Sequence, residues 1–144
     1  MKLSSKTIYG LKILLQIGLD NRHGKTSHGK TISRDQEISE NYLEQIKIPL
    51  KNSGFVKVTR GCNGGYFLNK DPREITVLDI VELFEGKFNP IDCVQGKNAL
   101  SGIMNCKIND VWGRISRYLI YTAGNITLLS ILNELDEPAI EYFN

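Results

Sequence analysis

Between Phe55 and Leu68 the chain takes up the two-residue period of a β-strand, turns through a glycine cluster and comes back. Phe55-Val56-Lys57-Val58-Thr59-Arg60 alternates in polarity, Gly61-Cys62-Asn63-Gly64-Gly65 is turn chemistry, and Tyr66-Phe67-Leu68 returns as a second strand. A lone two-stranded hairpin does not hold itself in water, so the surrounding chain must supply helices for it to lean on.

Those helices are legible on its N-terminal side. Segment 4–19 repeats Ile8, Leu11 and Leu15, with Leu14, Ile17 and Leu19 flanking, at helical spacing, and Asp20-Asn21-Arg22-His23-Gly24 stops it. Residues 21–31 are polar and contain glycine, which predicts a mobile surface loop. A short helical piece about 33–37 follows, then a second helix from Glu40. Ser39 is placed to accept from its free first-turn amides, and Glu40 sits against its positive end. Tyr42, Leu43 and Ile46 form the buried stripe, with Asn41, Glu44, Gln45 and also Lys47 expected outward. Pro49 removes an amide donor and disfavours helix at Ile48, so a kink or break is expected there, with Gly54 as the final stop.

Two short helices followed by a basic hairpin describe a winged helix-turn-helix, and the charge agrees. Residues 1–70 carry twelve Lys/Arg against five Asp/Glu, a net of +7; residues 71–144 carry six against eleven, a net of −5. The first half suits a polyanion and the second a different task. The expected organisation is a DNA-binding domain over 1–70 and dimerisation helices within 71–144, mainly α with a small β-wing. Thr76, with Asp79 three residues on, caps a helix through Phe84 that Gly86 ends. Residues 87–106 read as a loop. A long helix over about 109–123 carries Val111, Trp112, Ile115, Leu119 and Thr122, suited to dimerisation or to packing within its own chain. A last helix over 126–135 has Asn125 or Thr127 as its cap.

The longest apolar runs fall far short of the roughly 20 residues that span a bilayer, and three cysteines make no disulfide scaffold, which places the chain in the cytoplasm. Gly24-Lys25-Thr26-Ser27-His28-Gly29-Lys30-Thr31 spells the phosphate-cradling G-x-x-x-x-G-K-T loop of nucleotide-binding enzymes. That loop needs a buried strand before its first glycine, and here a helix precedes it. His23 and His28 have no ligand or catalytic partner at a useful spacing, so an enzyme is not expected.

The run Ile38 to Ile46, then Pro49-Leu50-Lys51, Gly54-Phe55-Val56 and Arg60-Gly61 followed by Gly64-Gly65-Tyr66-Phe67-Leu68, resembles the Rrf-type family of bacterial winged-helix transcription regulators. Met1 to Lys6, Tyr9-Gly10, Ile80-Val81-Glu82, Cys106 and Val111-Trp112 extend the resemblance over essentially the whole chain. It implies a homodimer whose long C-terminal helices pair and whose recognition helices enter successive major grooves of a roughly palindromic operator, with a repressor as the expected role. Carried over, Ser39, Asn41, Tyr42, Glu44 and Gln45 face the groove, with Glu44 accepting from a cytosine amino group and Gln45 bridging adenine. Arg60 enters the minor groove or grips phosphate, and Lys2, Lys51 and Lys57 neutralise backbone charge.

Family members that sense iron, nitric oxide or redox state hold an iron-sulfur cluster in the loop before the long helix, so the resemblance implies a sensor loop with dimerisation helices over 71–144. Here only Cys93 and Cys106 are in register; the middle cysteine is missing, Asn109 stands in place of a histidine, and Ile8 and Lys12 stand where the first helix would supply a ligand. Three readings stay open: a [2Fe-2S] cluster on Cys93 and Cys106 with unusual co-ligands, a thiol switch between the two, or no cofactor and control by a metabolite or protein partner.

Overall fold

The computed structural model describes residues 2–89 and 103–136, and of residues 103–106 the backbone alone. Helix α1 (Ser5–Arg22) starts at Ser4, whose hydroxyl accepts from the Thr7 amide, and buries Ile13, Leu14 and Ile17. It runs past the expected stop because its last side chains have partners. Asn21 donates to the Tyr66 carbonyl (3.3 Å) and accepts from the Leu68 amide (3.1 Å), and Arg22 pairs with Asp136.

The predicted mobile loop over 21–31 is corrected by the same logic. Ser27 is fully buried, its carbonyl accepts from the Tyr66 amide at 2.9 Å and its hydroxyl donates to Asp20 at 2.7 Å. Helix α2 (Gly29–Asp35) therefore begins four residues before the expected start at Ser33. Just past its Gln36 cap stands Glu37, a non-glycine residue at φ +54°, where the Ile38 amide reaches back to the Ser33 carbonyl (3.0 Å) and the Glu37 amide to that of Arg34 (3.2 Å).

Helix α3 (Glu40–Asn52) starts at Ser39, as expected, and runs unbroken through Pro49. Pro49 has no amide to donate to the Gln45 carbonyl, but Leu50 is locked into the core and the end closes tightly. Gly54, at φ +80°, lets its amide reach Lys51 (3.0 Å) and the Phe55 amide reach Leu50 (3.1 Å). Strands β1 (Val56–Thr59) and β2 (Gly65–Leu68) pair antiparallel from Val56↔Leu68 to Thr59↔Gly65. At their turn a Cβ on Gly64 would lie 2.4 Å from the Thr59 carbonyl oxygen, so the hairpin closes only on glycine.

A 3-10 turn (Pro72–Glu74) leads to α4 (Val77–Glu85), which carries the expected reciprocal cap: the Thr76 amide donates to Asp79 (2.8 Å) and the Asp79 amide to Thr76 (3.1 Å). Helix α5 (Ile103–Asn125) starts six residues before expectation, so 103–106 is helix rather than loop, while 90–102 lies outside the described residues. Helix α6 (Leu128–Asp136) is capped by Thr127, not Asn125. The Val77 and Leu128 amides cross-link the start of α4 to the α5–α6 junction, at 2.9 and 2.7 Å. The charge divide at residue 70 does not divide the core: Ile75, Ile80, Leu128 and Leu132 share one cluster with Ile13, Leu14, Ile17, Leu43 and Ile46. Among the described residues no helix is long and apolar enough to cross a membrane.

Candidate nucleic-acid interface

Leu43, Ile46 and Leu50 bury one side of α3, so helical geometry turns Asn41, Glu44, Gln45, Ile48 and Lys51 outward, and all five are exposed. The Ser39 hydroxyl spends an acceptor site on the Tyr42 amide (3.1 Å) and keeps its hydrogen for an outside acceptor. Tyr42 is half-buried, with its ring edge-on to Tyr9 at 5.9 Å, so most of its surface is used in joining α3 to α1. Ile48 escaped the sequence reading. It is 52 % exposed in line with Asn41 and Gln45, and the signal was its place outside the Leu43–Ile46–Leu50 stripe.

The Glu44 carboxylate is ion-paired with Lys47, whose ammonium also sits 5.6 Å from the centre of the Tyr66 ring. Burial alone would lower the Lys47 pKa; the bond to Glu44 and the neighbouring Tyr66 outweigh it and hold it above the usual lysine value. Next to α3, Lys57 is exposed on β1 and Arg60 at the start of the turn, while Lys70 lies 5.2 Å over the Phe55 ring. Structure brings Ser39, Asn41, Glu44, Gln45 and Lys51 onto one helix surface, with Lys57 and Arg60 on the adjoining wing. Lys2 stands apart: it precedes α1, whose first turn is tied to α4 through the Ser4 amide and Glu85 (2.8 Å).

A second surface has the opposite character. Along α5, Ile108, Val111, Trp112, Ile115 and Leu119 recur on one face and are all at least 38 % exposed. Contiguous apolar exposure of this kind marks an interaction face, whereas single exposed apolar residues carry no such meaning.

The Gly24–Thr31 run is no phosphate loop. Gly24 follows helix α1 rather than a strand, Ser27 is locked against Tyr66, and the helix that opens at Gly29 is seven residues long. Of the cluster candidates, Cys93 lies outside the described residues and Cys106 sits on α5 with its side chain undescribed; Cys62 is exposed on the wing turn. The α1 positions Ile8 and Lys12 are exposed and offer an alkyl group and an ammonium held 5.1 Å from the Tyr9 ring centre, neither of them a cluster ligand. Among the described residues no group of three or more His, Cys, Asp or Glu could hold a metal ion. Among the described residues, the side chains present do not complete a cluster cage.

The Rrf2 family, described as "Iron-dependent Transcriptional regulator", matches residues 3–135. The HTH-type transcriptional regulator CymR of Bacillus subtilis is 37% identical over 110 residues, 76% of this chain and 79% of that protein. IscR of Serratia proteamaculans is 33% identical over 136 residues, 94% of this chain and 82% of its own. The solved structure of CymR, the global cysteine regulator of B. subtilis, superposes with a TM-score of 0.81 at 30% identity, covering 94% of this chain and 99% of that one. That of T. potens IscR superposes at 0.72 and 26% identity, covering 99% and 97%. The chain belongs to the Rrf2 family of transcriptional regulators, and its fold is theirs.

Proposed function

We propose that the chain is a cytoplasmic, non-catalytic repressor that binds palindromic operators in duplex DNA as a homodimer. The observation that carries this reading is the polar face of α3, with Asn41, Glu44 and Gln45 beside Lys51 and the basic wing residues Lys57 and Arg60. A helix of this kind fits the major groove, where Glu accepts from the cytosine amino group, Gln bridges adenine and an apolar Ile48 meets a thymine methyl. Arg60, at the wing tip, reaches the minor groove or the backbone, and Ser39, Tyr42 and Lys2 add contacts that position the protein without reading sequence. The apolar face of α5 supports pairing of two copies. Signal reception is assigned to residues 71–144. The α1 residues Ile8 and Lys12 favour control by a metabolite or protein partner over a [2Fe-2S] cluster on Cys93 and Cys106.

Selection from a random duplex pool, followed by affinity measured against salt, tests the reading. The wild-type chain selects a two-fold symmetric site. Arg60→Ala weakens binding and reduces the slope of log affinity against log salt by about one. No selected sequence, or a slope that Arg60→Ala leaves unchanged, overturns it.

A further inference from the structure

The outward carboxylate of α3 is not a free side chain. Lys47 lies three residues further along the helix, its side chain only 18% exposed, and its ammonium is ion-paired with Glu44 while resting against the ring of Tyr66. Tyr66 is itself immobilised. It is 8% exposed, its amide is bonded to the Ser27 carbonyl, and its hydroxyl closes over the start of α2, where a Cβ on Gly29 would come within 3.1 Å of it. Glu44 is therefore held through a chain of contacts that begins in the wing and the α1–α2 connection and ends on the surface of α3.

We infer that Lys47 is a positioning residue for sequence recognition: clamped between Tyr66 and Glu44, it fixes the Glu44 carboxylate on the exposed face of α3, so that selectivity at the base pair Glu44 meets depends on Lys47. This rests on the DNA-reading function proposed above. Two physical arguments favour it over a phosphate-binding role. An ammonium already desolvated against a ring and paired with a carboxylate has little left to offer a phosphate. A carboxylate facing a polyanion is repelled by it and needs a nearby cation to stay well placed; the raised pKa of Lys47 agrees with a cation kept charged by these neighbours. Pre-organised groups discriminate, whereas a carboxylate free to swing would accept from whichever donor came near.

The test uses the full chain and the site it selects. The position read by Glu44 is the one whose preference is lost in Glu44→Gln. There, Lys47→Met lowers discrimination between the selected base pair and its replacements roughly tenfold, within the range a good base contact supplies. It leaves the other positions and the salt slope unchanged, and in the Glu44→Gln background it has no further effect. Lys47→Arg, which restores the cation, keeps discrimination to within about threefold of wild type. If Lys47→Met proves unfolded by circular dichroism, Lys47→Gln decides by the same readings. Weakening of all sequences alike, with the salt slope reduced by about one, makes Lys47 a phosphate contact and overturns the inference. Undiminished preference, or a selected site with no Glu44-dependent position, also overturns it. A wild-type chain that selects no sequence refutes the DNA-reading function itself, which separates the two failures.

Discussion

Helices α3 and α5 are both amphipathic, yet the protomer treats them in opposite ways. On α3 the apolar side is closed: Leu43, Ile46 and Leu50 are each at most 2% exposed, and the polar side faces outward. On α5 the apolar side stays open, with Trp112 at 44% and Val111 at 49% exposed. The hydrophobic effect has been satisfied within the chain in the first case and not in the second. A polar face left open suits a polar, charged ligand; an apolar face left open suits a partner that can bury it. The two surfaces are read as DNA and a second copy on the same physical ground, applied with opposite sign.

The largest expected effect comes from breaking the open side. Ile115→Asp puts an unpaired carboxylate into the α5 stripe, which costs about 3–5 kcal/mol where the stripe is buried between copies. Sedimentation then shows a shift from dimer to monomer, with the dimer dissociation constant raised at least about a hundredfold. Because Ile115 is already 38% exposed in the protomer, the helical circular dichroism of the monomer changes little. An unchanged mass in solution would mean that α5 meets no second copy, and the contrast with α3 would lose its meaning.

Next comes the closed side, where the wing leans on the helices. Gly64→Ala places a Cβ 2.4 Å from the Thr59 carbonyl and 2.7 Å from the Arg60 carbonyl carbon, both backbone atoms that cannot step aside as a side chain does. Overpacking of this kind costs about 2–3 kcal/mol in denaturant unfolding. The loss is local, since α5 and α6 keep their contacts, and a loss well under 1 kcal/mol would show that the hairpin tolerates a looser turn than its register implies.

What the sequence revealed and what it hid follow the range of the forces involved. Caps are local, so Ser39, the Thr76–Asp79 pair, Gly54 and Gly86 were legible from residues three or four apart. The start of α2, the length of α1 and the continuity of α3 through Pro49 were not, because each is decided by a distant partner: Tyr66 for Ser27, Asp136 for Arg22, the core for Leu50. Of the outward residues of α3, Asn41, Glu44 and Gln45 could be placed from its period; Ile48 was missed, and Lys47, expected outward, is instead largely covered, its side chain 18% exposed. Lys47 could not be connected with Glu44 and the wing together, because Tyr66 lies nineteen residues along the chain and on another element.

The smallest effect probes the seam between the two halves. Glu85, at the end of α4 in the acidic half, accepts from the Ser4 amide at 2.8 Å and from the Thr7 hydroxyl, at the start of α1 in the basic half. These hydrogen bonds hold its carboxyl below the usual carboxylate range. A pKa lowered by folding contributes stability that is fully present above the unfolded value, about 4.3, and is lost as pH falls through the lower folded value. Thermal unfolding of the wild type therefore drops more steeply on acidification below about pH 4.3 than that of Glu85→Gln, whose amide oxygen still accepts but carries no charge. The gap between the two is greatest near neutral pH and narrows as acid neutralises the wild-type carboxyl. Exposure to solvent keeps it small. A melting difference that stays constant from neutral to acid pH would mean that the seam is held by shape and neutral hydrogen bonding alone, and that the halves are joined by their shared core rather than by this charge.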